Sequence, residues 1–592
     1  MPVPAAVFFQ HAYEHAKLED ARLSAQLSLW GWIRFGAFVL AVLFATGVMG
    51  VPNPYRWVLV LLSIVGFGAS VLMYRRREVA RDRARAQATL AAAQLESISG
   101  NHDQWEAGEA FMDPGHAFAA DLDVFGPHSV FRMLNRTFLD EGRRLLAARL
   151  TQWQTDPKEI LRQQRAVKAL GQDLEWCLEL ITDTKLAAGT QSSTDQLKRW
   201  AASGNAQQRR GVYRILHMAI PVYSLTIILC GVFGVLSGGL TSILVLLPLA
   251  FVSAHLARTQ EVSAQLGKQH AALLGLSGVL DRLAEAPEDG EVLAGLRQQS
   301  QGAGDALRKL SSIANAFDNR HNLLVAVVFN LLVGWDFWCL KRLEDWHGEY
   351  GSHMDTWLGA LAQGEVLTSL GLFAASQPGL TWPTPTNEGM VQTRGLGHPM
   401  LNPEVRVCND FGLDQNGFSI VTGANMAGKS TFLRTLGVNL VLAQMGAPVV
   451  AQSFTFRPVP LFSSMRTTDA LEDNASYFYA ELRRLQILVE HLESGQELFV
   501  ILDEILKGTN SKDKAEGSRK FLEKLTRLPA SGVIATHDLS LCVVADSSPQ
   551  VHNQFFDVTI GTEDLDFDYV LRDGVCANMN ATFLMDKMGI TR

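Results

Sequence analysis

Residues 421–432 read VTGANMAGKSTF, and no other stretch restricts so tightly what this chain can fold into. Gly423, Gly428, Lys429 and Ser430 fit the pattern G-x-x-x-x-G-K-[ST]. The apolar Phe418, Ile420 and Val421 before it predict a strand, and the spacing from Thr431 to Leu442 predicts a helix. The loop therefore falls where backbone N–H groups and a helix N-terminus can hold phosphate oxygens. Its glycines let the backbone come close, Lys429 adds a point charge, and the Ser430 hydroxyl is placed to ligate Mg²⁺. Ala424, Asn425, Met426, Ala427 and Thr431 complete the candidate nucleotide-binding loop. A match of this kind can arise by chance in 592 residues, so its strand–loop–helix context and its partners downstream carry the reading.

Residues 498–502 (LFVIL) are a continuous apolar run ending in Asp503 and Glu504. Such a run suits a parallel strand buried on both faces. Two acids at its end supply what phosphoryl chemistry needs: Asp503 to hold the Mg²⁺ water shell, Glu504 to orient or deprotonate the attacking water. A third run, GVIA at 532–535, leads into Thr536-His537-Asp538. A histidine at the C-terminal end of such a strand points into the crevice where open α/β sheets bind nucleotides. The plain alternatives are solvated acids capping a strand and a structural histidine.

Two pairs of apolar runs precede this region. Residues 35–51 and 57–74 flank the turn Pro52-Asn53-Pro54, and residues 215–236 and 240–256 flank Ser237-Gly238-Gly239. Each approaches the ~20 residues that cross a ~30 Å hydrocarbon layer. Arg75-Arg76-Arg77, Arg209-Arg210, Arg214 and Arg258 flank their outer ends, whereas the turns hold only Arg56. By the positive-inside rule both hairpins enter a membrane from the cytoplasm and return to it. The alternative is a set of buried helices in a large soluble core. A shorter run, 323–334, contains Asn330 and is closed by Asp336, and it is read as a buried helix.

The intervening segments are polar and helical by periodicity, with breaks near Asp113-Pro114-Gly115 and at 287–290. Trp338, Trp346 and Trp357 are expected as core anchors, and Pro383 and Pro385 mark a linker. The predicted organisation is an N-terminal cytosolic helix (1–34), a first transmembrane hairpin (35–74), helical core (75–211), a second hairpin (212–257), more helical core or lever (258–377) and a nucleotide domain (378–592). The N-terminus lacks the cationic lead and cleavage site of a signal peptide. Six scattered cysteines without a C-x-x-C pair favour a reducing compartment over a zinc site or a disulfide framework. From Thr381 onward there are 18 Lys and Arg against 25 Asp and Glu, so the linear sequence offers no basic patch of the kind that grips nucleic acid.

At this point the residues carry a family likeness. TGANMAGKST departs from the TGxNMxGKST of the MutS family at no required position, and Asn425-Met426 is what separates that family from other phosphate-loop proteins. DEILKGTNSKDK (503–514) resembles its DExxxGT loop, ATHDLSL (535–541) its ATHxxxL switch, and SYFYAEL (476–482) its S-x-F-x-x-E signature. Asn409 and FDYVLRDGV (567–575) also fit, and residues 121–170 resemble the start of the family's helical core. The resemblance implies an α/β P-loop ATPase domain of the ABC/MutS type behind an all-α core and lever domain, here carrying two transmembrane hairpins. It also implies slow, Mg²⁺-dependent ATP hydrolysis in a homodimer with composite sites. Lys429 and Asn425 would hold phosphates, and Ser430 and Asp503 Mg²⁺. Glu504 would position water, His537 would switch, and Ser476 would act on the γ-phosphate bound by the opposite subunit.

The departures are informative. The region ahead of the core is too short for a mismatch-reading domain, and the second hairpin stands where the family inserts its DNA clamp. Arg406-Val407-Cys408 replaces an aromatic often found near the adenine, and its guanidinium can also stack on a base. No endonuclease-like extension is expected after Arg592. The expectation is thus a multi-pass protein of the inner (plasma) membrane with a cytoplasmic ATPase domain and lipid as its first partner. A membrane-tethered DNA-binding repair factor and an ABC-like exporter are the alternatives, nucleic acid being a partner that the charge does not favour.

Overall fold

The computed structural model describes residues 4–189, 197–198, 200, 210–255, 259–260, 266, 269–318, 323–377, 379–424, 426–465, 477–506, 511–560 and 565–576. Asn425, Ser476, Arg209, Arg258 and residues 507–510 of the DExxxGT-like loop lie outside them.

Two long helices open the chain, α1 (Ala5–Thr46) and α2 (Asn53–Ile98), packed along each other as a hairpin. Gly47 ends α1 in the left-handed conformation, its N–H donating to the Phe44 carbonyl, and Pro52 and Pro54 start α2, where a missing N–H breaks no helical bond. The helix predicted for 1–34 has no break before the apolar run; α1 continues through it. Phe38, Leu61, Leu62, Ile64 and Val65 stand more than half exposed along the hairpin. Aromatic and basic side chains pair at both of its ends: Arg34 lies over Tyr74, 4.9 Å from the ring centre, and Arg56 over Trp57 at 5.1 Å.

The helical body follows: α3 (Asp140–Thr151), α4 (Pro157–Gln172), α5 (Leu174–Ala188), α6 (Arg210–Val232), α7 (Gly238–Val245), α8 (Leu247–Ala254), α9 (His270–Ala284), α10 (Gly290–Ser300), α11 (Ala303–Asp318), α12 (Leu323–Val333), α13 (Trp335–Tyr350) and α14 (Met354–Ser376). By length and apolar composition alone, helical segments 5–46, 55–98, 213–232 and 335–376 could cross a membrane, but the apolar part of the last is 78% buried inside the protein. Trp346 and Trp357 lie in that interior as expected, and Trp338 is only partly covered.

Two elements differ from expectation. Residues 240–256 do not form one helix: Leu246 separates α7 from α8. Pro248 in the first turn of α8 explains the break, since inside a continuous helix it would lose one hydrogen bond and clash with the preceding turn. Helix α12, expected to be buried, has Val327, Val328, Phe329, Leu332 and Val333 exposed and Asn330 turned inward. Its sequence is apolar on all sides, and hydropathy alone does not distinguish burial in protein from exposure to a non-aqueous medium.

Glu365, on α14, is fully enclosed and accepts the N–H of Phe138 at 2.8 Å and of Leu139 at 3.3 Å, capping the start of α3. Burial pushes its carboxyl up to about 8, outweighing the opposing effect of those N–H groups. In the unfolded chain the group titrates near its ordinary 4.5. Unfolding therefore releases a proton between these values, and this carboxyl makes the fold less stable as pH rises through that window. Glu365→Gln keeps an acceptor without the titration. The variant is expected to melt above the parent at pH 8 and close to it at pH 5, with a difference of up to roughly 5 kcal/mol. Equal melting temperatures at both pH values would contradict this account.

The C-terminal part is α/β. Its main sheet contains β4 (Phe418–Gly423), β6 (Leu461–Ser464), β7 (Leu498–Asp503), β8 (Ala530–Ala535), β9 (Val551–Phe556) and β10 (Leu571–Asp573), in the order β10-β9-β4-β8-β7-β6. All neighbours run parallel except β10, which is antiparallel to β9. A smaller sheet of β1 (Thr384–Pro385), β2 (Val391–Leu396), β3 (Asn409–Leu413) and β5 (Ser453–Phe456) stands beside it. Helix α15 (Lys429–Gln444) covers one face of the main sheet, and α16 (Tyr477–Glu493) and α17 (Ser511–Leu525) the other. Strand side chains alternate accordingly. Val421, Ile501 and Val533 join the core shared with α15, whereas Ile420, Val500, Leu502 and Ile534 join Leu485, Leu488 and Leu522.

The first of these cores does not stop at the linker but runs from Phe9 through the helical body into the sheet. Gly437 of α15 lies so close to Leu122 that a β-carbon there would come within 2.7 Å of it. The irregular segment before α3 is also clasped to the sheet. Asp121 accepts the Ser463 hydroxyl at 2.6 Å and the Met465 N–H at 3.2 Å, and Arg484 of α16 binds both the Ala117 and Ser463 carbonyls.

Candidate nucleotide site

Parallel register brings three strand ends to one edge. Ala535 faces Val421 on one side and Asp503 on the other, so the residues just after β4, β7 and β8 share a single crevice, where such sheets bind ligands. Gly423 closes β4 at φ +147°, where a β-carbon would meet the Phe556 carbonyl at 2.9 Å. Gly428 turns the loop into α15 at φ +101°, with the Tyr569 ring against its backbone. Side chains are thus excluded at the two points where the loop must bend. Between them Ala424 and Ala427 are buried and Met426 projects from the cleft mouth. Among the described residues no side chain caps the first turn of α15, and the N–H groups at its N-terminus face the cleft.

The functional side chains then meet. Lys429, 6% exposed, donates to the Gly423 and Ala424 carbonyls at 2.8 and 2.9 Å and lies 3.4 Å from the His537 ring nitrogens. Burial pulls its ammonium below the usual lysine range, against the attraction of Glu504 and Asp503. Ser430 Oγ donates to Asp503 Oδ2 at 2.6 Å, and His537 Nε2 is 2.6 Å from Glu504 Oε1. Backbone bonds fix Glu504 and the residue before His537: the Glu504 N–H reaches the Ala535 carbonyl and the Thr536 N–H the Val421 carbonyl. Glu504 has φ +54° and Leu506 +60°, a strained turn for side-chain-bearing residues. Thr431 lines the cleft beside Ser430.

Residues outside the phosphate-loop pattern complete the cleft, which encloses about 430 Å³, within the size range of ligand pockets. Glu481, buried in α16, accepts the Leu506 N–H at 2.6 Å and holds the strained turn. It is the last residue of the S-x-F-x-x-E match, which is its signal in the sequence. Tyr569 lies against Gly428, and its carbonyl accepts from Asn409 Nδ2 at 3.0 Å. The aromatic in FDYVLRDGV was the only sequence sign of it. Arg406 is not brought into the cleft. Its guanidinium donates to the His398 carbonyl at 3.3 Å, and Val405 and Val407 line the wall instead.

This donor set fits a nucleotide with its magnesium. A buried ammonium, uncapped helix N–H groups and a glycine-lined bend suit phosphate oxygens, and a hydroxyl beside a carboxylate is a hard oxygen pair of the kind Mg²⁺ takes.

The family model for MutS domain V matches residues 419–584. Among curated proteins the chain is 34% identical over 199 residues to the DNA mismatch repair protein MSH4 of Arabidopsis thaliana, covering 32% of this chain and 24% of that protein. It is 31% identical over 194 residues to the DNA mismatch repair protein MutS of Thermotoga petrophila, with the same two coverages. To the human MutS protein homolog 4 it is 31% identical over 166 residues, 27% of this chain and 18% of that one. The chain thus spans about a quarter or less of the length of these relatives. Through its C-terminal α/β part, which carries the cleft and its convergent side chains, the chain is similar to MutS domain V and to these DNA mismatch repair proteins.

Proposed function

We propose that the chain is a membrane-anchored MutS-type ATPase in which ATP-driven closure of a homodimer moves the helical body and the two apolar hairpins. The observation that carries the proposal is the meeting of Lys429, the Ser430–Asp503 pair and the Glu504–His537 pair at one sheet edge. Lys429 exchanges its two carbonyl partners for phosphate oxygens, which compensate a desolvated ammonium better than neutral carbonyls do. Ser430 and Asp503 hold Mg²⁺, which when bound would neutralise phosphate charge. Glu504 takes the proton of the attacking water, and His537 keeps that carboxylate aimed and responds to the phosphate. Asn425 joins Lys429 on the phosphates, and Ser476 completes the site of the opposite subunit. Tyr569 offers an aromatic face beside the loop.

Both hairpins anchor in the plasma membrane with the ATPase part in the cytoplasm. In support, lipid-type apolar faces occur on α1, α2 and α6 with arginines at their base, and aromatic–arginine pairs stand at both ends of the first hairpin. The proposed boundaries remain 35–74 and 212–257 for the hairpins and 378 for the start of the ATPase domain. The likeness to DNA mismatch repair proteins favours a second reading, a membrane-tethered DNA-binding repair factor.

Membrane fractionation combined with ATPase assays with and without duplex or branched DNA separates the two. The protein is expected in the membrane fraction, with turnover unchanged by DNA. Salt-dependent DNA binding with a steep log–log slope would select the second reading, and a soluble protein would refute the anchor.

A further inference from the structure

Helix α12 is the most exposed apolar element of the helical body that the two hairpins do not include. Its Val327, Val328, Phe329, Leu332 and Val333 are 37–46% exposed, and its only polar side chain, Asn330, is 3% exposed. Asn330 is occupied inward, its Oδ1 accepting the Asp336 N–H at 2.9 Å. Eleven residues rise about 16 Å, roughly half of a ~30 Å hydrocarbon layer, so α12 is too short to span one.

Its depth follows from the contacts that α12 and the residues just after it make with α6. Tyr213 stacks on Phe337, Ile220 lies against Gly334, and the Ser224 hydroxyl donates to the Leu331 carbonyl at 2.6 Å. These pairs climb α6 from its base. Ser224 lies nine residues beyond Ile215, where the apolar run begins, a rise of about 13 Å. If α6 crosses a bilayer, the end of α12 bonded to it therefore sits near mid-depth. The residues flanking α12 meet nearer the base of α6, since Gly334 lies on Ile220 and the Trp335 indole donates to the Ala316 carbonyl at 3.1 Å. An aromatic and basic collar stands at that level: Phe329 and Trp338 both pack on Trp335, and Arg342 lies over Trp338 at 4.6 Å. Trp and Arg concentrate at the membrane–water boundary.

We infer that α12 is a re-entrant, lipid-embedded helix that enters and leaves the bilayer on the ATPase side, making the second membrane unit a three-part wedge of α6, α7–α8 and α12. A helix satisfies its own backbone hydrogen bonds and so tolerates this depth. Gly334, at φ +62°, joins it directly to α13, so lipid contact reaches the helical body through one residue. The inference rests on the anchoring reading above.

The test places single cysteines at Val328, Leu332 and, as a reference in the first hairpin, Leu61. The background carries Cys230→Ala and Cys408→Ala, the two native cysteines that are not buried. Each purified full-length variant is labelled with an environment-sensitive fluorophore, reconstituted into phosphatidylethanolamine–phosphatidylglycerol vesicles, and exposed to lipids spin-labelled in mid-chain or to aqueous iodide. Probes at all three positions are expected to lose most of their emission to the spin-labelled lipid and little to iodide. Iodide quenching at 328 and 332, with lipid quenching at 61, overturns the inference and leaves the anchor standing. Absence of lipid quenching at 61 overturns the anchoring reading and this one with it. Emission at 328 and 332 that neither quencher reaches means a protein cover such as a second copy of the chain, and also overturns the inference.

Discussion

Glu504→Gln is expected to lower ATP turnover by about 10²–10⁴-fold, the usual contribution of a positioned general base, or roughly 3–5 kcal/mol of barrier. The amide can keep a hydrogen bond to His537 where the carboxylate now stands 2.6 Å from Nε2, but it cannot accept a proton from water. Lys429, Ser430 and Asp503 are untouched, so nucleotide binding should persist, and a slow enzyme with ATP bound should accumulate in its closed form. Single-turnover hydrolysis and equilibrium binding of a fluorescent ATP analogue separate the two quantities. Parental turnover in this variant would remove Glu504 from the chemistry. A parallel loss of binding would mean that the strained turn at Glu504 and Leu506 had collapsed, and Glu481→Gln, which disturbs only its support, would then reproduce the defect.

Introducing Phe38→Lys, Leu61→Lys and Val65→Lys together should stop the first hairpin from crossing the bilayer. A lysine near the centre of a spanning helix costs about 2.5–3.5 kcal/mol on the insertion scale, so three cost roughly 8–10. All three positions are more than half exposed on the hairpin, and Phe38 alone of them has a ring contact across it, with Phe67 at 6.4 Å. The readout is a cysteine at Asn53, in the turn. In the parent a membrane-impermeant maleimide should reach it from the face opposite the ATPase part, and in the triple variant it should not. A parental turn that can be labelled only from the ATPase side would rule out a crossing hairpin.

The nucleotide cleft was legible because its chemistry is written at strand ends. Apolar runs ending in Gly423, Asp503 and Thr536 specify parallel strands, and parallel strands put those ends on one edge whatever lies between. Side chains that support the site from elsewhere were harder to read. Glu481 acts through a backbone N–H distant in sequence, and nothing local to α16 says where its carboxylate points. Arg406 is the opposite case: a guanidinium suits a base, but here it donates to the His398 carbonyl and lies outside the cleft lining. Hydropathy located the apolar runs but not their shape. It missed the break at Leu246, since one proline weighs little in an average, and it could not tell the uncovered α12 from a core helix. The clasp of Asp121 and Arg484 joins positions that no periodicity links.

The contact of Gly437 with Leu122 has a practical side for anyone dividing this protein. Residue 378 is a border on paper, yet the solid it crosses has no cleavage plane, because the helix that follows the nucleotide loop beds directly on the segment around residue 122. A fragment beginning at the linker would carry a raw apolar face and would be prone to precipitate before it could be assayed. Residues 116–123 belong mechanically with the nucleotide-binding part, however far upstream they are encoded.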